Sequence, residues 1–244
     1  MTEKDKEQEL GVEPPMKDPK RRRAVRRLLR AEVFYVTALT IFAALALLAR
    51  VYAYFGWDLA FARGLQNLSV PGLFTFMRVV SVFGDKWVPW ALSGVTLILF
   101  LVYRKRTEAA ALLLCAGGGE LVNSILKLLI ARPRPSNELV MVFRSLRTQS
   151  FPSGHVTFYV CFFGFLFFAA YALLPRGSFV RRAALALAAL PVLLIGLSRV
   201  YLGAHWPSDT LGAYLSSGLW LAFSLHMYRR WKERATFQNL EVES

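Results

Sequence analysis

Six apolar runs, at residues 33–55, 87–103, 109–130, 156–174, 183–201 and 210–228, constrain this 244-residue chain more than any other feature. Each has roughly the length that crosses a hydrocarbon core of ~30 Å at ~1.5 Å per residue. A composition that is 55% hydrophobic and 14% aromatic is too apolar for an ordinary soluble domain. The length suits one membrane bundle rather than two domains. The expected fold is all-α: a six-span transmembrane helix bundle over 31–230, with a disordered basic cytoplasmic tail at 1–30 and a cytoplasmic C-terminal tail at 231–244. Residues 1–19 are charged and nearly devoid of large apolar groups, which predicts disorder. A secretory signal would have a shorter apolar core and a small-residue cleavage site, so 33–55 reads as a retained first span.

The formal net charge of +14 raises two partners, nucleic acid or a membrane. Most of the basic residues lie in short clusters between apolar runs and form no single basic face, which argues against nucleic acid. Eight fall between Lys17 and Arg30, three at Arg104–Arg106, three at 175–182 and four at 228–234. With six spans all four clusters share one side, and the bias of Lys and Arg toward the cytoplasm makes that side the inner one. Both termini are then expected in the cytoplasm. Segments 56–86, 131–155 and 202–209 are expected outside the membrane of a bacterial-type cell. The two cysteines, Cys115 and Cys161, each lie inside an apolar run and read as packing residues.

Segment 131–155 breaks the charge rule. It carries Arg132, Arg134, Arg144 and Arg147 against a single acid, Glu138, and Lys127 stands just before it. Positive charge on the disfavoured side calls for a local anion, either a ligand or the headgroups of anionic lipids. The segment ends in FPSGH at 151–155. Pro152 disfavours helix at Phe151, while Ser153 and Gly154 suit a helix start, and helix N-terminal amides are natural phosphate donors. A plain N-cap explains the same residues. The third outer segment adds Ser198, Arg199, His205 and Asp209 in SRVYLGAHWPSD. Asp209, four residues after His205, is spaced so that its carboxylate can reach the imidazole and fix its tautomer. Two histidines and an acid are also a metal-ligand set. Cations around them disfavour a divalent ion and favour a tetrahedral oxyanion.

The three parts, Lys127 with Arg134–Pro135, Pro152 to His155, and Ser198–Arg199 with His205 and Asp209, resemble the signature of the type 2 phosphatidic acid phosphatase superfamily. The resemblance covers about residues 30–230, with no departure at a signature position. It implies a phosphatase that needs no metal or cofactor and works through a phosphohistidine. His205 would be the nucleophile, Asp209 its orienter and His155 the general acid. Lys127, Arg134, Arg199, the Ser153 hydroxyl and the Gly154 amide would hold the phosphoryl oxygens. The substrate would be a lipid phosphate or diphosphate: phosphatidate, phosphatidylglycerophosphate, a polyprenyl diphosphate or a phosphorylated glycolipid. Alternatives are phosphoryl transfer to another lipid, a non-catalytic lipid transporter or binder, and a vanadium haloperoxidase, which six spans oppose.

Outside the signature, Glu120, Asn123 and Lys127 form one polar stripe, serving either substrate or the bundle. Arg132, Arg144 and Arg147 are expected at headgroups or the surface. Segment 57–86 reads as interfacial helices that shape lipid entry or anchor the bundle. His226, at the far end of the last run, has no expected role.

Overall fold

The computed structural model describes residues 19–242, so the expected disorder at 1–18 lies outside the described residues. Among the described residues there are helices and no strands. In chain order we label them α1 (Pro19–Val51), α2 (Gly56–Gln66), α3 (Leu73–Ser81) and α4 (Val88–Val102). They continue as α5 (Arg106–Ile130), α6 (Gly154–Leu173), α7 (Phe179–Tyr201) and α8 (Pro207–Val242). The all-α expectation is met.

Helix extends into both expected tails, against the disorder expected at 19–30. Residues 19–30 are helical, because Pro19 suits a first helical position and the following Lys, Arg, Ala and Leu include no breaker. Residues 231–242 continue α8, again with neither Gly nor Pro to stop it. The chain packs as two units, one up to Thr40 and one from Ile41. In the first, Val33, Phe34, Val36 and Leu39 are exposed. Such a surface is costly in water and favourable against lipid.

Among the described residues, four helices are long and apolar enough to cross a membrane: residues 32–51 of α1, then α5, α6 and α7. A fifth crossing results if Leu73–Gly84 and Val88–Val102, bent by 54°, count as one. The expected span at 87–103 is too short by itself. The one at 210–228 lies within α8, where serines and glycines dilute the apolar residues.

The second unit is organised around α6, which is apolar on all sides and therefore central. Phe158, Tyr159, Phe162 and Phe165 form one core with Leu112 and Cys115 of α5, Ile195 of α7, and Ala213 and Tyr228 of α8. At the start of α5, buried Glu108 accepts from Tyr228 Oη at 3.1 Å and Lys232 Nζ at 2.7 Å, tying α5 to α8. The other end of α5 meets the start of α6, the end of α7 and the start of α8. Those four termini carry the signature residues.

Candidate active site

The loop between α5 and α6 folds back over the helix ends, and its carbonyls hold the cations. Lys127 Nζ donates to Gln149 O at 2.9 Å. Arg134 donates to Thr148 O and Ala204 O, both at 2.6 Å, and to Gln149 O at 3.1 Å. Gly203, at φ +64°, lets this loop approach: a Cβ there would lie 1.9 Å from Met141 O. Burial draws the Arg134 guanidinium down to about 10, against the pull of Asp209, so it stays charged at neutral pH.

His205 sits in the α7–α8 turn, 2% exposed. Arg134 Nη1 lies 3.1 Å from its Nε2. A guanidinium has no lone pair, so it donates, and Nε2 must be the acceptor. The proton is then on Nδ1, which faces Ser150 Oγ at 3.5 Å and Asp209 Oδ2 at 3.6 Å. Burial, then Arg134, Lys127 and Arg199, hold this imidazole well below its ordinary value, so it is neutral at pH 7.

Asp209 reaches His205 less directly than its spacing predicts. Its Oδ2 accepts from Ser150 Oγ at 2.5 Å and from Trp206 N at 2.8 Å, and Ser150 lies beside the carboxylate, equally near the ring. Its Oδ1 accepts from Arg132 Nη1 at 2.7 Å. Arg132 is therefore misassigned by sequence to headgroups or the surface: it is 1% exposed. Its Nη2 donates to Asp58 Oδ2 at 2.9 Å, and Phe55 lies 4.8 Å beneath its guanidinium. Asp58 in turn accepts from Ser208 N at 2.8 Å and Oγ at 2.7 Å. Segment 57–86 thus does more than anchor the bundle, since α2 places a carboxylate in the support of Asp209.

His155, in the first turn of α6, points Nε2 at Asp85 Oδ1, 2.9 Å away. Asp85 lies at the bend between α3 and α4, and sequence reasoning passed over it. Neighbouring Gly84 makes room, because a Cβ there would sit 2.4 Å from the His155 ring. The hydrogen bond from His155, followed by nearby cations, lowers the Asp85 carboxyl against its burial. Arg199 donates through Nη1 to Ser81 Oγ at 2.6 Å.

Several buried polar groups at these helix ends have no partner: Ser153 Oγ, Arg199 Nε and Asn123 Nδ2. Buried donors are ordinarily satisfied, so three together mark a place for an acceptor-rich ligand. Ser153 and Gly154 open α6, where the helix dipole adds positive potential. A cavity of about 580 Å³ reaches His155 and Arg199. A second cleft of about 380 Å³ runs between α4 and α5 past Trp90, Leu97, Ala116, Glu120 and Phe158. Glu120 therefore faces a cleft. Asn123 accepts from Thr157 Oγ1 at 3.3 Å. Arg147 is exposed, and His226 lies far along α8 from these groups.

The fold and site define a helical membrane protein whose two histidines and several cations gather at neighbouring helix ends. A family model described as the PAP2 superfamily matches residues 108–233, and the chain belongs to that superfamily. Phosphatidylglycerophosphatase B of Bacillus subtilis (strain 168) is 36% identical over 121 residues, 50% of this chain and 58% of that protein. The chain thus spans little more than half the length of that relative. Decaprenylphosphoryl-5-phosphoribose phosphatase of Mycobacterium tuberculosis is 31% identical over 147 residues, 57% of this chain and 71% of that one. Among solved structures, a transmembrane PAP2-type phosphatidylglycerolphosphate phosphatase from Bacillus subtilis superposes with a TM-score of 0.70 at 26% identity. It covers 80% of this chain and 96% of its own. Aquifex aeolicus LpxE gives 0.53 at 27% identity, covering 70% and 96%.

Proposed function

We propose that the chain is a metal-independent lipid phosphatase that hydrolyses a lipid phosphomonoester or diphosphate through a phosphohistidine. The observation that carries this reading is the neutral, Nδ1-protonated His205 with Nε2 aimed among cations and unpartnered donors. In the first step the Nε2 lone pair forms an N–P bond while the P–O bond to the lipid breaks. His155 supplies the proton that the leaving oxygen takes up. The new positive charge on the imidazole faces Asp209 Oδ2 and Ser150 Oγ, both near Nδ1. In the second step water attacks phosphorus, His155 takes back a proton, the N–P bond breaks and inorganic phosphate leaves.

Lys127, Arg134, Arg199, the Ser153 hydroxyl and the Gly154 amide hold the three phosphoryl oxygens throughout. Phosphoryl transfer asks a protein mainly for such positioning and positive charge. Proton donation to the leaving group supplies a further ~10²–10⁴-fold. The apolar cleft beside the cavity suits a lipid chain, and the relatives' names point to lipid phosphates. Six crossings, with α3 and α4 as one bent span and α8 as the last, would put the site outside the cytoplasmic membrane and both termini inside. The basic clusters support that orientation.

The test is phosphate release from phosphatidate, phosphatidylglycerophosphate and a polyprenyl diphosphate by purified protein in detergent with EDTA, alongside His205→Ala. Release that survives EDTA and disappears in the variant is expected. Release that EDTA abolishes, or that His205→Ala retains, would overturn the mechanism.

A further inference from the structure

The signature cations suffice for one phosphoryl group. A phosphate ester carries between one and two negative charges near neutral pH. Lys127, Arg134 and Arg199 are the cations of the proposed phosphoryl site. The 580 Å³ cavity that continues from His155 and Arg199 is lined by three more cations, Arg78, Lys86 and Arg144. Asp85 is the carboxylate there, and it is occupied by His155 at 2.9 Å. The positive charge exceeds what Asp85 offsets: among the described residues neither Arg78 nor Arg144 makes an ion pair within 4 Å, and Asp85 feels Arg144 only at longer range.

Arg78 is nonetheless held in place. Its guanidinium lies 4.9 Å from the Phe143 ring centroid and 5.9 Å from that of Phe74. Aromatic faces fix a guanidinium by its plane and leave its N–H donors unspent. Phe143 belongs to the α5–α6 loop and precedes Arg144, while Phe74 and Arg78 lie one turn apart on α3. The loop and α3 therefore bring both arginines to one wall of the cavity, next to the residue that would protonate the leaving oxygen. A group just beyond that oxygen is met by positive charge.

We propose that Arg78 and Arg144 form a second anion subsite, which selects lipids bearing another phosphate beyond the one that is cleaved. The inference rests on the proposed phosphatase reading and deepens it. Two kinds of lipid share the required chemistry: a diphosphate, with the second phosphorus one bridging oxygen away, and a phosphomonoester joined by a short polyol to a phosphodiester.

The experiment measures kcat/KM for phosphatidate, phosphatidylglycerophosphate and a polyprenyl diphosphate in matched micelles. It compares wild type, Arg78→Gln, Arg144→Gln and the double variant. Charge-assisted contacts of this kind are worth roughly tenfold or more each. The ratio of either two-phosphate lipid to phosphatidate is expected to fall at least about tenfold in the double variant. The lipid that loses more identifies the spacing of the two phosphates. A ratio within about twofold of wild type for both lipids would overturn the subsite.

Calorimetry with inorganic pyrophosphate and phosphate on the same proteins gives a readout that needs no turnover. Pyrophosphate is expected to bind more tightly than phosphate to wild type, and the double variant to lose most of that gap. A gap left intact would overturn the subsite. Failure of wild type to release phosphate from any lipid would instead count against the phosphatase reading, and the pyrophosphate gap would still decide this inference.

Discussion

Replacing Arg132 by methionine tests how the catalytic end is held. Arg132 is buried and bridges two buried carboxylates, at 2.9 Å to Asp58 and 2.7 Å to Asp209. Removing one partner of a buried pair costs about 3–5 kcal/mol, because a charge is left without compensation. Here one cation serves two acids, and methionine restores apolar volume but no donor. A loss of about 4 kcal/mol is the central expectation, which at about 2–4 °C per kcal/mol for a chain of this size lowers Tm by roughly 8–16 °C. Unfolding in detergent, followed by intrinsic fluorescence, reads it. The Asp58→Asn change in the Arg132→Met background separates causes. If stranded carboxylates are responsible, neutralising one recovers part of the loss. A fall of less than about 3 °C, or a double variant less stable than Arg132→Met, would refute the reasoning.

With its imidazole held well below its ordinary 6.5, chiefly by burial, His205 stays neutral in the folded protein while the unfolded chain protonates below about that pH. Stability present above 6.5 is therefore lost as pH falls below it, and phosphate release keeps its rate past 6.5 on the acid side; a rate already halved at 6.5 would contradict this. Asp85→Asn removes the carboxylate that orients His155, and kcat for lipid phosphates is expected to drop about tenfold or more. p-Nitrophenyl phosphate, whose leaving group needs no proton, should lose far less, and equal losses would reduce Asp85 to a structural role. Gly203→Ala puts a Cβ 1.9 Å from Met141 O at a positive φ, so thermal unfolding should shift down by several degrees.

What the sequence made legible follows from locality. His205 and Asp209 are four apart, Ser153 to His155 are contiguous, and Lys127 and Arg134 flank one helix end. Spacing and a helix start predicted part of their company, and the helix ends that carry them meet in the structure. Ser150, Asp58 and Asp85 went unread because their partners are remote: Asp58 meets Arg132 across 74 positions and Asp85 meets His155 across 70. No periodicity encodes such a pair. One signal was available for Arg132, an arginine in a segment where positive charge is disfavoured, only two residues from Arg134. It was assigned to headgroups or the surface because it matches no signature position, and the two acids that bury it, Asp58 and Asp209, lie 74 and 77 positions away. The helix termini at 19 and 242 were missed for another reason. Charge-rich, apolar-poor segments resemble disorder by composition, while their Arg, Lys, Ala and Leu residues favour helix.

Lys127, Arg134 and Arg199 are held by carbonyl oxygens and a serine hydroxyl at distances of 2.6–3.1 Å. Dipoles satisfy these groups without cancelling their charge. Cationic groups are thus kept close together at the helix ends, offset only in part by Asp85 and Asp209, and the fold bears the remainder until an oxyanion arrives. Ground-state tension of this kind makes phosphate, vanadate or sulfate a ligand for folding as well as for the site. The apparent melting point of this protein is then partly a property of its buffer.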